Sequence, residues 1–138
     1  MLTWTEQFAT GSPMIDGQHR DLIRHCNEFE RLLDHTNPSL QDVAVIIDFL
    51  SFLEDYVDGH FRYEEQCMES YRCPAHQKNL EAHAYFKQLF QQHKDHARKA
   101  GFRLELLVEL NRVIHAWIQD HILHVDTGLK PCLASRAA

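Results

Sequence analysis

Side chains able to bind a cation recur at helical spacing along this sequence: His19, the pair His60 and Glu64, His83, His121 and Asp126. His60 and Glu64 stand at i and i+4, which on a helix puts imidazole and carboxylate on one face about 6 Å apart. Asn79 and His83 share the same spacing, so an amide precedes that imidazole on its face. Mixed imidazole and carboxylate donors, with no thiolate at their level, suit iron or manganese better than structural zinc. Five or more ligands including two carboxylates exceed what one tetrahedral ion takes. Two ions bridged by Glu64 and Asp126 would use them all. A single histidine on an apolar face is usually a hydrogen-bonded core residue. Here that explanation must hold several times over, and each unpaired polar group costs about 1 to 3 kcal/mol to bury, a carboxylate more. A cation compensates the whole cluster.

Such a cluster needs helices brought together at one level. Glycine and proline punctuate the chain sparsely, which favours long helices over strands. Asp16 is expected to cap a helix from about Gly17 to Thr36, stopped by Asn37-Pro38 because proline excludes helical geometry from the residue before it. Ser39 with Asp42 resembles a capping box opening a second helix, which runs to about Ser70 and is broken by Tyr71-Arg72-Cys73-Pro74. A third helix runs from about Ala75 to before Gly101 and a fourth from about Phe102 to Val125. The whole chain, 1–138, reads as one domain with an N-terminal arm of about 1–16 and a C-terminal tail of about 127–138.

Each segment carries one seam spaced alternately three and four residues, the pattern of helices packed along a bundle axis. The seams are His19, Leu22, Cys26, Phe29, Leu33; then Ile46, Leu50, Leu53, Val57, His60, Glu64, Cys67, Tyr71; then His76, Asn79, His83, Phe86, Phe90, His93; then Leu107, Leu110, Ile114, Trp117, His121. Short connections force neighbouring helices antiparallel, giving an all-α, up-down-up-down four-helix bundle. In that topology His19, His60 with Glu64, Asn79 with His83, and His121 fall at the same end. Asp126 lies just past the last full turn, where a loosened helix end can turn its carboxylate inward.

The bulk properties agree and exclude other classes. A formal net charge of -6 lacks the basic footprint that neutralises phosphates, so nucleic acid is not an expected partner. No apolar run approaches the ~20 residues that span a bilayer, and the first residues show no basic and apolar export signal, so a cytoplasmic protein without membrane association is expected. Free thiols are expected for Cys26, Cys67, Cys73 and Cys132, since a chain with this much core needs no staples. Cys26 and Cys67 should be buried small residues roughly 20 Å apart. Of the remaining histidines, His25, His35, His96, His115 and His124 fall off the seams and are expected on solvated faces. His76 is expected at a surface end.

Ile15-Asp16-Gly17-Gln18-His19, His60-Phe61-Arg62-Tyr63-Glu64-Glu65 and His121-Ile122-Leu123-His124-Val125-Asp126, with Trp4 and Trp117, closely resemble the motifs of bacterial hemerythrins. The resemblance covers nearly the whole chain. It implies two irons with a solvent-derived oxo or hydroxo bridge, His19 and His60 on one iron, His83 and His121 on the other, and Glu64 and Asp126 as protein bridges. The family places a histidine where this chain has Asn79, a departure that leaves one iron an imidazole short. Asn79 could ligate weakly through its amide oxygen, bond a coordinated water, or leave a position open.

The resemblance implies molecular oxygen or another small diatomic as the ligand, and in some members a fused signalling output domain. Because of Asn79, an oxygen- or redox-responsive sensory module is expected, with oxygen carriage or storage as the second reading. An enzyme is not expected. Di-iron oxidases of four-helix bundles use Glu-x-x-His motifs, and no glutamate here has a histidine three residues later.

Overall fold

The computed structural model describes the backbone of residues 1–35 and 40–137, and the side chains of residues 1–34 and 43–134. Four long helices, α1 (Pro13–His35), α2 (Leu40–Ser70), α3 (His76–Lys99) and α4 (Leu104–His124), form an all-α bundle, and a short α5 (Leu129–Ala137) follows. Each long helix packs on its neighbours in chain order, and α1 closes the ring against α4. The stop at Asn37-Pro38, the Ser39 and Asp42 cap and the surroundings of His35 lie outside the described residues.

The first helix begins earlier than expected. Pro13 occupies its first turn, where a missing N–H costs nothing, and Ser12 caps it through Oγ, which accepts from Ile15 N at 3.2 Å. Asp16 is not the cap. Its Oδ1 accepts instead from the backbone and hydroxyl of buried Thr10, at 2.9 and 2.8 Å, and so ties down the arm. Further along the arm Leu2 exchanges two hydrogen bonds with Asn27, and the Arg20 guanidinium lies 4.0 Å over the Trp4 ring.

The corners after α2 and after α3 use the same closure. After α2, Arg72 takes φ 51° and Cys73 N bonds back to Met68 O; after α3, Gly101 takes φ 72° and Phe102 N bonds back to Ala97 O. This left-handed stop satisfies the last carbonyls and reverses the chain sharply, which keeps successive helices antiparallel.

The α1 seam is buried from His19 to Leu33, and the α4 seam positions Leu107, Leu110, Ile114 and His121 are buried too. The buried stripe is wider than the seams: Phe61, Met68, Ile118 and Ile122 are buried beside them. On α2 the seam fails at its end, where Cys67 is half-buried and Tyr71 exposed while Met68 takes the interior position. His25 and His115 are half-buried rather than solvated: His25 stacks edge-on against Phe52 and Tyr56, and His115 Nε2 meets Cys26 O at 3.0 Å.

Two expectations about the C-terminus are corrected. Residues 126–128 form a 3-10 turn and 129–137 form α5, which seats fully buried Leu129 in a satellite core with Ile15, Met68 and Cys73. That return brings Cys132 to the α2–α3 corner, where it is disulfide-bonded to Cys73 with 5.7 Å between Cα atoms. Treating 127–138 as a tail hides this pairing, because the two cysteines are 59 residues apart and meet only once α5 folds back. Cys26 and Cys67 are free.

Candidate metal centre

All six expected ligands converge at one end of the bundle, each at most 5% exposed. They sort into two overlapping groups whose candidate donor atoms lie within 4.8 Å of one another: His19, His60, Glu64 and Asp126, and Glu64, His83, His121 and Asp126. The two carboxylates belong to both. Glu64 Oε2 faces His19 Nε2 at 3.1 Å and His60 Nε2 at 3.4 Å, while its Oε1 faces His83 Nε2 at 3.2 Å. Asp126 Oδ2 faces His19 Nε2 at 3.1 Å and its Oδ1 faces His121 Nε2 at 2.8 Å. Each carboxylate therefore offers one oxygen to each half.

The imidazoles are oriented from behind. His60 Nδ1 donates to Gln18 Oε1 at 2.7 Å, and His83 Nδ1 donates to Glu65 Oε2 at 3.1 Å. A carboxylate only accepts, so in neutral His83 the hydrogen sits on Nδ1 and Nε2 keeps its lone pair. Such partners fix the tautomer and raise ligand basicity at metal sites. Phe61 lies parallel to the His83 ring at 3.7 Å and Trp117 nearly parallel to His121 at 4.3 Å, closing the ring faces to water. Gln18 and Glu65 stand within the quoted motifs but on other helix faces than the ligands beside them. Their role becomes visible only when the helices are assembled.

The donor set fits a cation. His83 Nε2, His121 Nε2 and Asp126 Oδ1 are buried without a hydrogen-bond partner despite their short contacts, as are His19 Nδ1 and Asn79 Oδ1. An imidazole lone pair facing a carboxylate oxygen at about 3 Å is two acceptors aimed at one another, which a positive charge between them converts from repulsion to coordination. Without a metal, a proton performs part of that task. Burial disfavours charge on His19, but Asp126 and Glu64 outweigh it and push its pKa up to about 10. Burial likewise opposes charge on Glu64, but His19, His60 and His83 prevail and hold its pKa well below the usual range.

Asn79 is fully buried on α3 one turn before His83. Its Nδ2 donates to Glu64 Oε1 at 2.7 Å and contacts Met68 Sδ at 3.3 Å. The amide thus meets the shared carboxylate. His76 is half-buried at the start of α3, outside both groups, and His93 belongs to neither. A surface groove of about 460 Å³ between α2 and α3, lined by Glu54, Asp58, Phe86 and Lys87 among others, contains none of these ligands. No helix among the described residues is long and apolar enough to cross a membrane.

Comparison with known proteins agrees with this arrangement. Residues 10–133 match the model of the hemerythrin HHE cation binding domain. The chain is 28% identical to a bacteriohemerythrin of Pseudomonas aeruginosa over 136 residues, covering 92% of this chain and 78% of that protein. It is 26% identical to one of Stenotrophomonas maltophilia, covering 88% and 74%, and 24% identical to one of Clostridium acetobutylicum, covering 91% and 96%. With the family match spanning the bundle from the end of the arm into α5, the chain belongs to the hemerythrin HHE cation-binding family.

Proposed function

We propose that this end of the bundle holds two irons, one by His19 and His60 and the other by His83 and His121, sharing Glu64, Asp126 and a solvent-derived oxo or hydroxo bridge. We further propose that the chain serves as an oxygen- or redox-responsive sensory module. Iron supplies the affinity for oxygen or another small diatomic and the electrons to reduce it. The chain's residues set how that chemistry is contained. Phe61 and Trp117 cover the rings of His83 and His121, and Glu65 raises the basicity of His83.

One observation carries the sensory reading: Asn79 stands on α3 where the family resemblance calls for an imidazole, and its amide donates to Glu64 Oε1 instead of supplying a strong neutral donor. The second half is left with two imidazoles, and a site with fewer strong donors exchanges ligands more readily. That favours conversion to an oxidised state over reversible oxygen storage. Carriage or storage is the second reading, favoured by the otherwise complete ligand set and its aromatic cover.

Anaerobic reduction followed by oxygen titration, read by optical spectra and iron analysis, tests both. About two irons per chain are expected, because the ligand set exceeds the needs of one ion. One zinc and no iron would refute the iron reading. Asn79→His should lengthen the lifetime of reversible oxygen uptake and shift the reduction potential. A native protein that already takes up oxygen reversibly and for long, with neither quantity changed by the substitution, assigns the chain to carriage.

A further inference from the structure

Beyond the metal cluster, the described residues bring three cysteines to the same end of the bundle. Cys73 at the α2–α3 corner is 4% exposed and bonded to half-buried Cys132 on α5; half-buried Cys67 packs against the same satellite core. By contrast Cys26 is buried inside the main core, where burial pushes its thiol up to about 12. Cys26 is therefore inert, whereas half-buried Cys132 is the less enclosed partner of the Cys73–Cys132 pair.

We propose that Cys73 and Cys132 form a thiol–disulfide exchange site for low-molecular-weight thiols and disulfides, and that its closure holds Asp126 in place. The second half of this inference rests on the reading of Asp126 as a metal bridge. The connection runs through Gly128, two residues past Asp126 in the same 3-10 turn. The Gly128 carbonyl oxygen lies 3.4 Å from Cys73 Sγ and 3.6 Å from Cys132 Sγ. A Cβ on Gly128 would approach Ala75 Cβ to 3.0 Å, so the turn sits directly against the corner that carries Cys73. The crosslink thus clamps the turn between α5 and the α2–α3 corner.

What remains without the crosslink is slight. Helix α5 has nine residues, and an isolated helix of that length is marginal in water. Its described apolar anchors are buried Leu129 and half-buried Leu133. A cleft of about 220 Å³ bounded by Gly11, Tyr63, Cys67, Leu129 and Leu133 brings solvent along the face where α5 docks.

The exchange balances with two equivalents of thiol. A small thiolate attacks Cys132 Sγ, the bond to Cys73 breaks, and Cys73 leaves as a thiolate that takes a proton from solvent. A second small thiolate attacks the small-molecule sulfur of the mixed disulfide, forming the small-molecule disulfide and releasing Cys132 as a thiolate that takes a proton from solvent. Closure is the reverse, with the small-molecule disulfide as oxidant. Attack falls on Cys132, the less buried of the two partners. In a reducing compartment, disulfides that do form are usually transient or redox-sensing.

The test equilibrates the full chain, iron-loaded and metal-free, in buffers of reduced and oxidised glutathione under argon. Alkylation with peptide mapping reads the cysteines. Hydrogen exchange of residues 126–134 reads the turn, and transfer of ferrous iron to a chelator reads the site. Oxidised protein should show the Cys73–Cys132 link, slower exchange at 126–134, and iron release slower by roughly tenfold, the scale of outer-contact effects at metal sites. Cys132→Ser should behave as the reduced protein in both buffers. Equal hydrogen exchange in both buffers, or a Cys67–Cys132 link instead, would overturn the proposal. If hydrogen exchange responds in the metal-free chain but no iron is ever bound, the exchange site stands and the metal reading fails.

Discussion

The two halves of the cluster share both carboxylates yet are built on different terms. In the first, His60 is oriented by the neutral amide of Gln18, and His19 lies between Glu64 Oε2 and Asp126 Oδ2, where a proton can neutralise the contacts. In the second, His83 is oriented by the anionic Glu65, and the Nε2 atoms of His83 and His121 face carboxylate oxygens without a hydrogen bond. The half with Asn79 in its neighbourhood is thus the half in which one of the two imidazoles, His83, has a charged partner behind it. A carboxylate behind an imidazole raises its donor strength. On the proposed two-iron reading, Glu65 would offset part of what the amide at position 79 withholds.

Removing what the halves share should produce the largest effect. Glu64→Ala deletes an oxygen from each half at once and leaves four facing groups, His19, His60, His83 and Asn79, without their common partner. Metal content should fall from about two irons to well below one, since neither half keeps a second carboxylate. His115→Ala, at a half-buried residue outside both ligand groups whose ring meets the α1 backbone at Cys26 O, should retain both. Equal retention in the two variants would show that Glu64 is no bridge.

Stripping the metal should affect the halves unequally. Binding to the folded state alone stabilises it by about 2.7 kcal/mol at a hundredfold excess over Kd, so loaded protein should melt roughly 10 °C higher. In the metal-free chain the His19 pKa rises from 6.5 unfolded to about 10 folded. Its contribution to stability is fully present below pH 6.5 and is lost as pH climbs through 10. Glu64 has the opposite sign: its folded pKa is depressed, so its contribution holds above about 4.5 and is lost as pH falls. Metal-free protein should therefore be most stable in mildly acidic solution and soften toward pH 10, by thermal melts across that range. On the proposed reading a metal would take the place of the His19 proton, so the loaded protein should lose most of the alkaline decline. Matching pH profiles for the two forms would remove the proton from the first half.

How much of this was legible in the sequence differs by level. The helices and the shared end of His19, Glu64, His83 and His121 follow from three- and four-residue spacing, because a bundle seam repeats at that period. Phe61, Met68, Ile118 and Ile122 escaped the seams because a helix enclosed on several sides buries a stripe wider than one row. Gln18 and Glu65 adjoin ligands in sequence, but adjacent residues on a helix point about 100° apart, so which histidine each meets is decided between helices. Asp16 was readable as a cap by type alone. Its actual bond to Thr10 depends on where the arm returns. The Cys73–Cys132 pair depends wholly on α5 folding back.

The smallest expected effect bears most directly on the difference between the halves. Glu65→Gln keeps a side-chain oxygen that can accept from His83 Nδ1 but removes the charge, so geometry should survive while the ring becomes a weaker donor. Loss of such a partner typically costs 10- to 100-fold in affinity; retaining the hydrogen bond should place this variant near the lower end, about tenfold. Gln18→Ala removes a neutral partner from His60 and leaves Nδ1 to find water, so a smaller loss, about threefold, is expected on the first half. Stepwise transfer of ferrous iron to a chelator separates the two: Glu65→Gln should accelerate one release phase and Gln18→Ala, more weakly, the other. Both variants acting on the same phase would mean that the two irons are held as a single unit through Glu64 and Asp126. In that case Glu65 cannot be compensating for Asn79, and the asymmetry of the orienting partners has no counterpart in how the metals are bound.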